Sequence, residues 1–105
     1  MSRVLVRPSR TVPADWLWAG PAAAVALPAA VPDDAVAAFL AREADAVLLN
    51  EGLLRHRPAA FARWARWDEA AGALVLAPEV VAAARFVADG PRPRYALVDV
   101  ARLPR

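Results

Sequence analysis

The alternation of apolar and polar positions divides the chain into short segments. Arg3–Arg7 alternates Val4 and Val6 against Leu5 and reads as a strand. Ala23–Leu27 sets Val25 and Leu27 between alanines and reads as a second, buried strand. Pro32-Asp33-Asp34 then opens a helix, with Asp33 or Asp34 as the expected N-cap. Within it Val36, Phe39 and Leu40 take the i, i+3, i+4 spacing of a buried stripe, and Arg42, Glu43 and Asp45 fall elsewhere. Ala46–Leu49 is a short apolar run that suits a buried strand, and Glu51-Gly52 interrupts it. Pro58 is placed to be the first residue of another helix reaching to about residue 67, with Phe61, Trp64 and Ala65 on one face. A strand competes for its second half, because the polar stretch Asp68–Gly72 separates it from the apolar run Ala73–Ala77, as in a hairpin. The spacing favours a helix over 58–65 and leaves 66–68 open.

Ala73–Ala77 reads as a strand. Pro78-Glu79 opens a helix with Val80, Ala83, Ala84 and Val87 as its apolar stripe, which Asp89-Gly90-Pro91 stops, with Gly90 just past its end. Tyr95–Val100 reads as the last strand. The predicted core is Val36, Phe39, Leu40, Leu48, Leu74, Leu76, Val80, Val87, Leu97 and Val98. Two strand–helix–strand units with an insert between them imply an α+β fold. The expectation is a small single-domain sheet of four to five strands with two to three helices, in ferredoxin-like alternation; a short parallel α/β sheet is the alternative. Residues 1–105 form one domain, and a Pro-rich irregular segment spans about 8–22.

Composition adjusts this picture. All 13 cations are arginines, and Lys, Ile, Gln and Cys are absent, whereas 28 residues are alanine. This is the signature of a GC-rich coding sequence and points to a bacterial, phage or mobile-element source. It also weakens the usual argument from arginine, whose forked guanidinium elsewhere marks a choice over lysine for phosphate or carboxylate recognition. Without cysteine there is neither a disulfide nor a thiolate metal site, which suits a cytoplasmic protein. The uncharged stretch Trp16–Pro32 is too short to span a bilayer and is broken by Gly20, Pro21, Pro28 and Pro32, so no membrane partner is expected.

Candidate chemistry is sparse. The single histidine, His56, has no nucleophile near it in sequence, since the hydroxyl side chains are Ser2, Ser9, Thr11 and Tyr95. The four glycines stand singly, outside any phosphate-loop pattern. The expectation is a non-enzymatic protein with no cofactor, no metal and no catalytic residue.

Charge is arranged in blocks although the net charge is only +2. Asp33, Asp34, Glu43, Asp45 and Glu51 dominate 33–51, and Arg55, Arg57, Arg63 and Arg66 make an acid-free run interleaved with Trp64 and Trp67. On a helix Arg63, Arg66 and Trp67 would share a face. Arg and Trp are enriched at protein-binding hot spots and also serve base stacking. The expected partner surface is therefore Arg55, Arg57, Arg63, Arg66 and Trp67, with Trp16 and Trp18 as a second aromatic pair. The alternative is that the tryptophans are core anchors whose edges the arginines cover. The expected function is that of a protein-interaction module, acting as a subunit, adaptor or inhibitor, with a basic nucleic-acid-binding domain as the alternative. A homo-oligomer is compatible with either. A continuous basic patch joining these arginines to Arg92 and Arg94 would favour nucleic acid; an apolar patch around the tryptophans would favour protein.

Overall fold

The computed structural model describes residues 2–6, 22–87 and 93–104. Among them are seven strands: β1 (Ser2–Leu5), β2 (Ala22–Val25), β3 (Ala46–Asn50), β4 (Ala65–Asp68), β5 (Ala73–Leu76), β6 (Ala84–Val87) and β7 (Tyr95–Asp99). Four helices accompany them: α1 (Val36–Glu43), α2 (Glu51–His56), α3 (Pro58–Phe61) and α4 (Pro78–Ala83). The fold is mixed α+β, as the alternation predicts. Five strands form one sheet in the order β2-β1-β3-β7-β6, and β4 and β5 pair separately. β1 runs parallel to both β2 and β3, so β2 and β3, the strands joined through α1, flank it on either side. The other half of the sheet is antiparallel, β3 to β7 and β7 to β6. The radius of gyration, 12.6 Å, is that of one compact unit, about 13 Å for a domain of this length.

Alternation along the strands separates two apolar clusters. Leu5, Val47, Leu49, Ala96 and Val98 face the main core, where they meet Val36, Phe39 and Leu40 of α1, Leu53 and Leu54 of α2, Phe61, Trp64, Leu74 and Val80. Val4, Ala46, Leu48 and Leu97 form a smaller cluster on the opposite face, joined by Val6 and Tyr95. Residues of β3 are buried throughout, as a central strand covered on both faces requires. Eight of the ten predicted core residues are buried; Leu76 is half-buried and the side chain of Val87 lies outside the described set.

Four local expectations are corrected. Neither Asp33 nor Asp34 caps a helix with its side chain: Asp33–Ala35 is a 3-10 turn entered from Pro32, and the Asp33 carboxylate is turned to Arg57 instead. Glu51-Gly52 begins α2 rather than breaking the chain, because the buried Asn50 side chain accepts a hydrogen bond from Leu53 N at 2.9 Å and so satisfies a first-turn donor. The helix from Pro58 is only α3, and Ala65–Asp68 is β4, so the hairpin reading holds for the second half. In the hairpin turn Asp68 Oδ1 accepts from Ala70 N at 3.0 Å and Ala71 N at 3.2 Å, and Gly72 takes φ +60°, a left-handed conformation that glycine adopts without steric cost. Lastly, the helix from Pro78 stops at Ala83, since Ala84 is already extended (φ −73°, ψ 133°) and Ala84–Val87 joins the sheet beside β7, where Arg85 meets Asp99 across the pair. The predicted stop at Asp89-Gly90-Pro91 lies outside the described residues.

Candidate functional site

The acid-free run 55–66 does not stay acid-free once folded. Arg55, on the last turn of α2, reaches Glu51 one turn back at 3.0 Å and Glu69 of the hairpin at 2.9 Å from Nε and 2.6 Å from Nη2. The hydrogen bond to Glu69, with the charges of Glu51 and Glu69, raises the Arg55 pKa above its ordinary value. Arg57 is largely covered, at 14% side-chain exposure, and donates to Asp33 Oδ1 (3.0 Å from Nε) and to the Val31 carbonyl. It clamps the loop before α1 to the α2–α3 junction. Both arginines are thus occupied within the molecule.

Trp64 and Trp67 take different roles. Trp64 sits in the turn between α3 and β4 and is buried in the main core. Its Nε1 donates to the Pro104 carbonyl at 2.8 Å, its ring lies 6.0 Å from Phe61, and the Arg63 guanidinium stands 5.0 Å over it. For this pair the core-anchor alternative describes the structure. Trp67 is half-buried in β4, opposite Leu74 of β5. Arg66 and Trp67 are neighbours on a strand, not on a helix, so their side chains leave opposite faces.

What gathers at Trp67 is an apolar groove of about 610 Å³. Leu54 of α2, Pro58 and Ala59 of α3, Ala62, and Ala65 of β4 form its walls with Trp67, and Arg55, Arg66 and Glu69 stand at its rim. A second, shallower cavity of about 290 Å³ shares Ala62, Ala65 and Arg66 with it and continues along Val75, Leu76, Ala77 and Pro78. Arg66 therefore lines both cavities. Its side chain is 64% exposed, and its nearest carboxylate, Asp68, is 4.0 Å away. Val75, beside it on β5, is among the large apolar residues left exposed.

Five of the predicted site residues are thus accounted for. Arg66 and Trp67 meet at one groove with Arg55 on its rim, whereas Arg57 and Arg63 serve the fold. Trp16 and Trp18 lie outside the described residues, as does Arg92, so the predicted continuity with that arginine does too. Sequence reading missed the opposite wall, Leu54, Pro58 and Ala59. The available signal was Asn50-Glu51, an N-cap followed by an acidic first turn, which places Leu53 and Leu54 on a helix. His56 is exposed, and among the described residues no group of three His, Asp or Glu side chains is placed to hold a metal ion. Nor is any helix among them long and apolar enough to cross a membrane. No protein-family model, curated protein or solved structure matches this chain.

Proposed function

We propose that this chain is a small non-enzymatic protein-interaction module, a cytoplasmic subunit, adaptor or inhibitor that docks on a partner protein through the face made by α2, α3 and β4. The observation that carries this reading is the apolar groove around the half-buried Trp67, rimmed by exposed Arg66. Aromatic and arginine side chains set in a desolvated recess are what a protein hot spot consists of. The same geometry disfavours the nucleic-acid alternative. Arg55 is paired with Glu51 and Glu69 and Arg57 with Asp33, so the run offers a phosphate backbone fewer free cations than its sequence promises.

Affinity capture from the native host, with cross-linking and mass spectrometry, tests the reading when wild type is run beside Trp67→Ala and His56→Ala. The expected result is a partner protein held by wild type and His56→Ala and lost, by about 2 kcal/mol or more, with Trp67→Ala. Capture of a nucleic acid with a steep salt dependence and no dependence on Trp67 would establish the alternative instead.

A further inference from the structure

All four helices pack on one side of the five-stranded sheet, yet its other side is buried as well. The main core takes residues from α1, α2, α3 and α4. The smaller cluster on the opposite face consists of Val4, Ala46, Leu48 and Leu97, with Val6 and Tyr95 beside them, and no described helix contributes to it. Ala46 and Leu48 are nevertheless 0% exposed, and Val4 and Leu97 only 6% and 9%. An apolar surface that water does not reach has chain laid over it.

The topology says which segment that is. β1 and β2 are parallel neighbours, so the chain leaving β1 must return to the other end of the sheet before it enters β2. Such crossovers are right-handed in nearly all sheets, which couples the direction of travel to the face crossed. From β1 to β2 the chain moves one way across the sheet; from β2 to β3, through α1, it moves back past β1 the other way. Two right-handed connections travelling in opposite directions lie on opposite faces. α1 sits on the main-core face through Val36, Phe39 and Leu40, which leaves the second face to the β1–β2 connection. The connection between β6 and β7 is no substitute, because the Pro93 carbonyl in it accepts from Leu74 N at 2.7 Å, and Leu74 belongs to the main core.

We infer that the occupant of the second sheet face is the chain's own segment 7–21, with its apolar run Trp16-Leu17-Trp18 seated on Val4, Leu48 and Leu97. Its length suffices: fifteen residues separate Val6 from Ala22 and can span about 50 Å, whereas the path out over a sheet face, back along a four-residue strand and in again is roughly 35 Å. Its composition fits, because its charges, Arg7, Arg10 and Asp15, all precede Trp16. Trp16 and Trp18 then serve the fold as Trp64 does. The second face is closed to a partner, and the groove at Trp67 is left as the interaction surface. This placement does not depend on the protein-interaction reading.

Photo-cross-linking of the isolated full chain tests it without any partner. Benzoylphenylalanine replaces Trp18, one aromatic side chain for another, and the irradiated monomer is digested and mapped by mass spectrometry. The expected links run within one chain to β1, β3 or β7. Links to α1–α4, links only between copies, or no link to the sheet overturn the proposal. In parallel, the double variant Trp16→Ser/Trp18→Ser should bind several-fold more of a dye that reports exposed apolar surface and should melt about 10 °C or more below wild type. Dye binding and Tm equal to wild type would overturn the proposal too. If the links are missing while partner capture still depends on Trp67, Trp16 and Trp18 are free for a partner and the groove reading stands. If the links form while capture ignores Trp67, the placement of the segment stands and the groove reading fails.

Discussion

Replacing Trp64 by Phe tests the division of labour between the two tryptophans. Trp64 is 1% exposed, and the substitution removes three separable things. The first is the Nε1 hydrogen bond to the Pro104 carbonyl at 2.8 Å, worth about 1 kcal/mol net. The second is the volume of the second ring, whose loss leaves a void of a few tens of Å³ against Phe61 and Leu40 and costs roughly 1 kcal/mol at the usual cavity coefficient. The third is the indole face under Arg63, about 0.5 kcal/mol at an exposed cation–π contact. Together the expected loss is about 2–3 kcal/mol. In a domain of this size that lowers Tm by roughly 10–20 °C.

Urea unfolding followed by far-UV circular dichroism, with a thermal melt in parallel, measures it. The double variant Arg63→Ala/Trp64→Phe isolates the third contribution, with an expected coupling of about 0.5 kcal/mol. A Trp64→Phe protein within about 0.5 kcal/mol of wild type would show that the indole neither holds residue 104 nor fills the core. Trp64 would then be as free to serve a partner as Trp67, and the assignment of the groove to Trp67 alone would fall.

Two further outcomes follow from the packing. Asn50→Ala should cost about 1–2 kcal/mol in urea unfolding, since it strips the cap from α2 and leaves the Leu53 N–H buried without its acceptor; an unchanged midpoint would mean the cap is dispensable. Leu76→Ala should cost less than the 2–5 kcal/mol of a central core position, about 1–2 kcal/mol, because Leu76 is half-buried at the end of a two-stranded hairpin, and Leu48→Ala in fully buried β3 supplies the larger value for comparison. Equal losses at the two positions would place the hairpin as deep in the fold as β3.

Legibility in the sequence followed the strength of each local signal. β3, β5 and β7 are runs of Val and Leu bounded by breakers, and the structure places them within a residue or two of the pattern. α1 was legible because Val36, Phe39 and Leu40 make a stripe that only a helix aligns. Ala84–Val87 was not, for a physical reason: Val80, Ala83, Ala84 and Val87 keep helical spacing, and alanine is content in a helix. The decision falls to the pairing of β6 with β7 and to the Arg85–Asp99 contact, both made with residues nine or more positions away. α2 is six residues long, too short for periodicity to register, and its existence depends on one cap. In an alanine-rich chain many segments carry little local preference, so tertiary pairing chooses among conformations that the sequence leaves nearly equal.

The candidate site shows the same division between local and distant information. A run of four arginines without an acid between residues 55 and 66 reads as a basic surface, yet charge along the chain says nothing about which carboxylates folding delivers to it. Glu51 arrives through one helical turn, Glu69 through the hairpin, and Asp33 through the loop before α1, and together they neutralise Arg55 and Arg57. Arg63 is spent on the face of Trp64. Arg66, with Asp68 4.0 Å away, is the one of the four that lines both cavities. A surface where folding has paired Arg55 and Arg57 with carboxylates beside an apolar groove is poorly suited to a polyanion, which rewards the number of free cations it meets. The proposed protein partner asks less of charge, because an apolar side chain buried beside Trp67 would supply most of its affinity.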